Sequence, residues 1–95
     1  MHVPQACEFR GAHGGMAVVV CPPGLGDAEL RMIGRRACFG RQDCTAWFWD
    51  DRDSAPEAPP TPEQPMSEAQ ADAAVAIYIV STDRVCRAMP DEQAA

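Results

Sequence analysis

Large apolar side chains are scarce in this sequence, and that scarcity limits what the chain can fold into. Leucine, isoleucine, valine and phenylalanine together make up 15 of the 95 residues, whereas alanine alone makes up 16. A small domain that buries so little hydrocarbon commonly needs disulfides, a metal or a partner for its stability. The sequence contains five cysteines, which could form such disulfides. The length allows one domain, 1–95, and no second core.

Charge is unevenly distributed, and the net charge is −6. Residues 27–41 carry four arginines against two acids, whereas residues 42–95 carry three arginines against eleven acids. No lysine occurs, so the basic surface on which nucleic-acid binding depends is not expected, and nucleic acid is excluded as a partner. The apolar runs are too short to cross a bilayer, so no membrane association is expected.

The spacing of apolar and turn residues predicts a small α+β sandwich of two layers, with three to four short strands and two helices. Strands are expected at 5–10 and 16–21, joined as a hairpin by glycines, at 45–50, and at 84–87. Helices are expected over 28–38 and 68–81. The first helix would join the strands at 16–21 and 45–50 in parallel.

Two segments of the second half carry particular signals. A capping box and many alanines favour a helix over 68–81, although the β-branched residues of 75–80 would suit a strand equally well. Within 54–65, prolines recur at every third position, which is the period of a polyproline II helix and predicts an extended connector. The tail after residue 90 is expected to be frayed.

The cysteines contain no Cys-x-x-Cys pair, so zinc ribbons and thioredoxin-type redox motifs are not indicated. Cys38 and Cys44 flank a short loop that could bring them to disulfide distance. A second disulfide between Cys21 and Cys86 would tie the C-terminal segment to the sheet and leave Cys7 over, but the sequence does not fix the pairing. The alternative is that all five are reduced and buried as small apolar residues.

No set of residues indicates an enzyme, a cofactor or a metal site. The glycines before the first helix lack the third small residue of a dinucleotide fingerprint, and Asp27 and Glu29 stand where a phosphate would bind. No serine lies in a nucleophile elbow. The two histidines have no cysteine at the spacing of zinc ligands. The sequence therefore predicts a protein that is not an enzyme and holds neither cofactor nor metal.

Two surfaces are candidates for partner binding. Trp47 and Trp49 share one face of their strand and could anchor an interface, or could instead lie beneath the helices in the core with Leu30. Asp50, Asp51 and Asp53 follow the strand as an acidic group.

The predicted function is a small, non-catalytic, acidic interaction module, stapled by disulfides, whose partner is an unknown protein. The first alternative is an inhibitory or immunity-type protein that blocks a basic site on its target. The second is a thiol redox protein. The first residues do not form a signal peptide. Export, with a signal peptide removed, is nevertheless favoured over a cytoplasmic location because disulfides persist in oxidising compartments.

Overall fold

A computed structural model describes residues 7–87 of the chain. These residues form the α+β fold that the sequence predicts, but with five strands instead of three to four. The elements are β1 (Glu8–His13), β2 (Met16–Val20), α1 (Asp27–Ala37), β3 (Thr45–Trp49), α2 (Glu68–Ala73), β4 (Ala76–Ile79) and β5 (Arg84–Arg87). The first two residues of the strand predicted at 5–10, and the tail predicted to fray after residue 90, lie outside the described residues.

The five strands form one sheet in the order β1-β2-β3-β4-β5. β1 and β2 make the predicted antiparallel hairpin, and its turn holds Gly14 and Gly15 at φ angles of 61° and 85°. Two successive positive φ angles are the requirement of a type I′ turn, which glycine meets at no steric cost. β2 and β3 pair in parallel along their full length, with α1 as their connection, as predicted. β4 and β5 complete the sheet as antiparallel strands.

The second helix is much shorter than the sequence predicts. α2 ends at Ala73, and the N–H of Val75 already donates to the carbonyl of Phe48 at 2.7 Å. The residues that follow pair with β3 as β4, so the prediction of a helix as far as residue 81 is wrong. The free edge of β3 offers these β-branched residues both hydrogen bonds and a packed surface, whereas a helix would restrict their side chains.

The sheet has a hydrophobic core on each face. On one face, α1 covers a cluster that includes Val19, Leu30, Phe48 and Tyr78. On the other face, a second cluster forms around Trp49, where residues from the 54–66 segment and from the end of α2 pack on the sheet. α1 therefore covers one face of the sheet, and α2 with the connector covers the other, whereas the sequence predicted only two layers.

The connector packs against the sheet instead of forming a continuous polyproline II helix. The side chain of Arg10, only 10% exposed, donates to three backbone carbonyls of residues 52–56 at 3.1 to 3.4 Å. Further along, Thr61 and Gln64 exchange two backbone hydrogen bonds of 3.0 and 3.1 Å. A polyproline II helix has no internal hydrogen bonds, so this exchange makes a turn in the 54–65 segment.

α1 lies very close to the sheet at Gly34. A Cβ atom at this position would stand 2.6 Å from the Cγ and Cδ2 atoms of the Tyr78 ring. Both residues are buried. Only glycine allows the helix to approach β4 this closely, so Gly34 sets the distance between α1 and the sheet.

The turn between β4 and β5 is held to α1 by an ion pair. Asp83 accepts hydrogen bonds from Arg35 at 2.7 and 3.0 Å and from the Tyr78 hydroxyl at 2.6 Å. These two donors, Arg35 foremost, lower the pKa of Asp83 from 3.8 to about 2. Burial raises the pKa of Tyr78, and its hydrogen bond to Asp83 adds to that rise. Asp83 has a φ angle of 54°, which aspartate and asparagine tolerate better than most residues.

Replacing Asp83 with asparagine should remove part of the acid sensitivity of folding. The pKa of Asp83 is lower in the folded protein than in the unfolded chain, so its carboxylate contributes stability above the unfolded value and loses it as the pH falls through about 2. Asparagine keeps the shape and the backbone angle without the charge. Urea unfolding should show that the stability of the wild type declines more steeply than that of the variant between about pH 4, near the ordinary pKa of aspartate, and about pH 2, the lowered pKa of Asp83. Parallel declines would contradict the assignment.

Candidate interaction surface

The structure gives different positions to the two tryptophans that the sequence suggests for partner binding. Trp47 and Trp49 stack with their ring centroids 6.1 Å apart. Trp49 is fully buried, and its Nε1–H donates to the carbonyl of Gln70 at 2.8 Å. Trp47 is half-buried. Trp49 is therefore a core residue beneath α2 and cannot touch a partner, and Leu30, its expected neighbour, lies on the opposite face of the sheet.

The three aspartates of the acidic group are all exposed in the loop after β3. The carboxylate of Asp51 accepts from the backbone N–H of Asp53 and from the hydroxyl of Ser54, both at 3.0 Å. Asp51 thus shapes the turn. Within residues 7–87, the carboxylates of Asp50 and Asp53 make no hydrogen bond or ion pair. This loop is therefore an exposed acidic surface.

Two disulfides join four of the five cysteines. Cys38 and Cys44 are bonded across the loop that follows α1. Cys21 is bonded to Cys7, not to Cys86 as the sequence suggested, and Cys86 is a free, exposed thiol on β5. The reason for the correction is the hairpin: Cys7 stands just before β1 and Cys21 just after β2, directly opposite each other in the strand register. The disulfide ties the beginning of β1 to the end of β2.

An open apolar groove of about 230 Å³ lies between α1 and the β1 edge of the sheet. It forms because α1 packs mainly over β3, β4 and β5 and leaves the β1 side of this face uncovered. Cys7, which is disulfide-bonded to Cys21, is one of its lining residues. The apolar lining residues are Cys7, Phe9, Val19, Met32, Ile33 and Ala37.

The volume of the groove indicates what kind of group could fill it. Sites for small molecules and cofactors usually measure about 300–1,000 Å³ and enclose most of the ligand. This groove is smaller and open to solvent. It suits one or two apolar side chains from the surface of another protein, which is the kind of contact that dominates the energy of many interfaces.

Within the described part of the chain, folding leaves three large apolar side chains exposed, and two of them line this groove. Among residues 7–87 they are Phe9, Met32 and Phe39, with 56%, 44% and 88% of their surface exposed. Phe9 and Met32 form opposite walls of the groove, and Phe39 follows the end of α1 in the disulfide-closed loop. A contiguous exposed apolar patch on a small protein marks an interaction site. Phe9 and Met32 share one groove, whereas a single exposed apolar residue such as Phe39 is ordinary on a protein surface.

Arg36 is the charged residue of the groove. Within residues 7–87 its guanidinium has no carboxylate within 4.0 Å and makes no side-chain hydrogen bond. No acidic residue lines the groove. Four other arginines do have carboxylate partners: Arg10, Arg35, Arg52 and Arg87. The groove thus combines an apolar surface with one unpaired cation.

Sequence reasoning did not select Phe9, Met32 or Phe39. One signal was available for Met32, because it lies off the stripe that Leu30 and Ile33 form along α1. A large apolar residue outside the buried stripe of an amphipathic helix needs either a second neighbour or a partner. Phe9 gave no such signal, since its exposure depends on where α1 crosses the sheet.

No group of three or more histidine, cysteine, aspartate or glutamate side chains within residues 7–87 could hold a metal ion. Neither α1 nor α2, the helices of that range, has the length and apolar character needed to cross a bilayer. Comparison of the chain with protein-family models, curated proteins and solved structures finds no match in any of the three.

Proposed function

We propose that this protein is a small, non-catalytic interaction module, stapled by disulfides, that binds a protein partner through the groove between α1 and β1. The observation that carries the proposal is that Phe9 and Met32, two of the three exposed large apolar side chains of residues 7–87, line the same groove. The class of function is the one expected from the sequence, but the proposed surface lies on the opposite face of the sheet from Trp47 and Trp49. Two disulfides are compatible with export, which remains the location we propose.

Burial of a partner side chain would supply the binding energy. Removing a leucine or phenylalanine side chain from water contributes about 1.5–3 kcal/mol, and the walls of the groove would be buried with it. The disulfide between Cys7 and Cys21 holds the beginning of β1, and with it Phe9, in the bound position before the partner arrives. A surface fixed in advance loses less conformational freedom on binding.

Replacing Met32 with aspartate should weaken this binding strongly without unfolding the protein. Met32 is half-exposed, so the buried core stays intact, whereas a carboxylate in the groove would lose apolar contact and would have to shed water. Peptides selected on the oxidised wild type from a displayed random library serve as probes. We expect their affinity for the variant to fall by about tenfold or more.

The matched control is Ala28→Asp, which adds the same charge to an exposed position of α1 that does not line the groove. It should bind the selected peptides as the wild type does, and circular dichroism should show all three proteins folded. The proposal fails if no peptide is enriched, or if the enriched peptides bind Met32→Asp as tightly as the control.

An inhibitory or immunity-type protein is the second candidate, and the loop after β3 favours it. Asp50 and Asp53 are exposed, and Arg10 holds the backbone of that loop at residues 52–56. A firmly held acidic loop would attract a basic site, and its association rate would fall as salt is added. A partner whose association rate does not change with salt concentration would exclude this candidate. The thiol redox alternative has less support, because Cys86 has no cysteine partner in the described chain.

A further inference from the structure

We infer that the partner of this groove presents a large apolar side chain beside a carboxylate, and that Arg36 binds the carboxylate. The inference rests on the proposed function and specifies the chemistry of the partner. Arg36 is exposed, lines the groove and has no acidic partner within residues 7–87. A guanidinium donates two parallel hydrogen bonds to a carboxylate, so an apolar side chain with a neighbouring acid satisfies both components of the site.

The charges around the groove favour an acidic partner. Arg35 and Arg36 stand in the last turn of α1, where cations are favourable, and Arg41 follows in the loop. One acid, Glu29, lies two turns before Arg36 on the same side of the helix, but its Oε1 already accepts the N–H of Gly26 at 2.8 Å. The end of the groove at Arg36 therefore presents positive charge without a competing carboxylate among its lining residues.

The charge of the rest of the surface also favours the binding of an acidic partner at the groove. Residues 42–87 carry nine acids against three arginines, and the whole chain has a net charge of −6. An acidic segment would be repelled from most of this surface and attracted to the face that carries α1. A basic segment would instead be drawn to the acidic loop at 50–53, away from the groove. The distribution of charge thus favours an acidic partner and directs it to the face that carries α1.

The spacing within the groove specifies the spacing within the partner. Met32 and Arg36 are one helical turn apart, which separates their positions by about 5–6 Å. A partner that contacts both needs its apolar side chain and its carboxylate at a similar separation. Residues three or four apart on a helix meet this requirement, and so do residues two apart on an extended strand, at about 6.6 Å.

The test is to compare the peptides that a displayed random library yields on wild type, on Arg36→Glu and on Arg84→Glu. Arg84 is the matched control, since it is exposed on β5 and lies outside the groove. Peptides from the wild type and from the control should carry an aspartate or glutamate at one of these spacings from a large apolar residue. Arg36→Glu should bind these peptides about tenfold more weakly or worse, and should itself select lysine or arginine at that position.

The outcomes separate the inference from the function on which it rests. Peptides that depend on Met32 but show no acidic residue, or bind Arg36→Glu as tightly as the wild type, would overturn the inference and leave the groove as a binding site. A second copy of the chain is the competing occupant, with Phe39 as the inserted side chain. Sedimentation would then show a dimer that both Met32→Asp and Phe39→Ser dissociate, and that result would also overturn the inference.

Discussion

Removal of the disulfide between Cys7 and Cys21 should lower the free energy of unfolding by about 3 kcal/mol. The bond joins residues 14 positions apart, and breaking it frees the unfolded chain as well as the beginning of β1. Alanine is the replacement of choice at both positions, because Cys21 is buried and a serine hydroxyl would need a partner there. Small domains are stable by only about 5–15 kcal/mol, so this loss would leave a protein with few bulky side chains close to unfolding.

The other cysteines provide matched controls in the same urea titration. The disulfide between Cys38 and Cys44 spans only 6 positions, so its removal should cost less, about 2 kcal/mol. Cys86→Ala, at an exposed free thiol, should change stability by no more than about 0.5 kcal/mol. An unchanged stability after loss of the Cys7–Cys21 bond, or a larger effect from Cys86→Ala, would contradict a fold held by these two disulfides.

Replacing Gly34 with alanine should destabilise the protein by about 2 kcal/mol, although alanine is the better helix former. The gain in helix propensity is about 1 kcal/mol. Overpacking a core costs about 1–3 kcal/mol, and an overlap with three atoms of one side chain belongs at the upper end, about 3 kcal/mol, which leaves a net loss of about 2 kcal/mol. The new Cβ would overlap with the Cβ, Cγ and Cδ2 atoms of Tyr78, at 2.6 to 2.7 Å. The ring cannot easily move, because it is buried and its hydroxyl is bonded to Asp83.

Gly26→Ser is the control for Gly34→Ala. Gly26 precedes α1 at an ordinary φ angle of −81°, and a Cβ there meets nothing closer than 3.7 Å. Serine is a good residue for this N-cap position, so the control should be neutral or slightly stabilising in thermal and urea unfolding. If Gly34→Ala were as stable as the wild type, α1 would not rest on Tyr78 as closely as described.

The elements that local patterns determine were predictable from the sequence. Glycines between the strands expected at 5–10 and 16–21 indicated the β1–β2 hairpin, although β1 extends to His13 and leaves a turn of only two residues. The alternation in 45–50 indicated β3. The helical spacing of apolar residues indicated α1 to within one residue at each end. β4 was not predictable in this way, because its β-branched residues suit either structure and the free edge of β3, nearly 30 residues earlier, decides between them.

The pairing of Cys7 with Cys21 depends on a single irregularity in β1. Near the turn, His13 pairs with Met16, and an unbroken register would place Cys7 opposite Pro22. A bulge between Phe9 and Ala12 shifts the register by one residue and brings Cys7 opposite Cys21. Bulges of this kind insert one extra residue, and this one contains Gly11 at a φ angle of 114°, a glycine that the sequence pattern assigns to the turn. The groove could not be predicted from the sequence either, because its lining residues belong to elements whose relative placement is set by Gly34 and β4.

The most direct test of a fold held closed by two disulfides combines alkylation of the native protein with thermal unfolding. Intact mass should show one alkylated thiol, Cys86, before reduction and all five after it. The reduced protein should unfold at a clearly lower temperature than the oxidised one. Five reactive thiols without prior reduction, in a protein whose cooperative unfolding temperature does not change with reductant, would contradict the central claim.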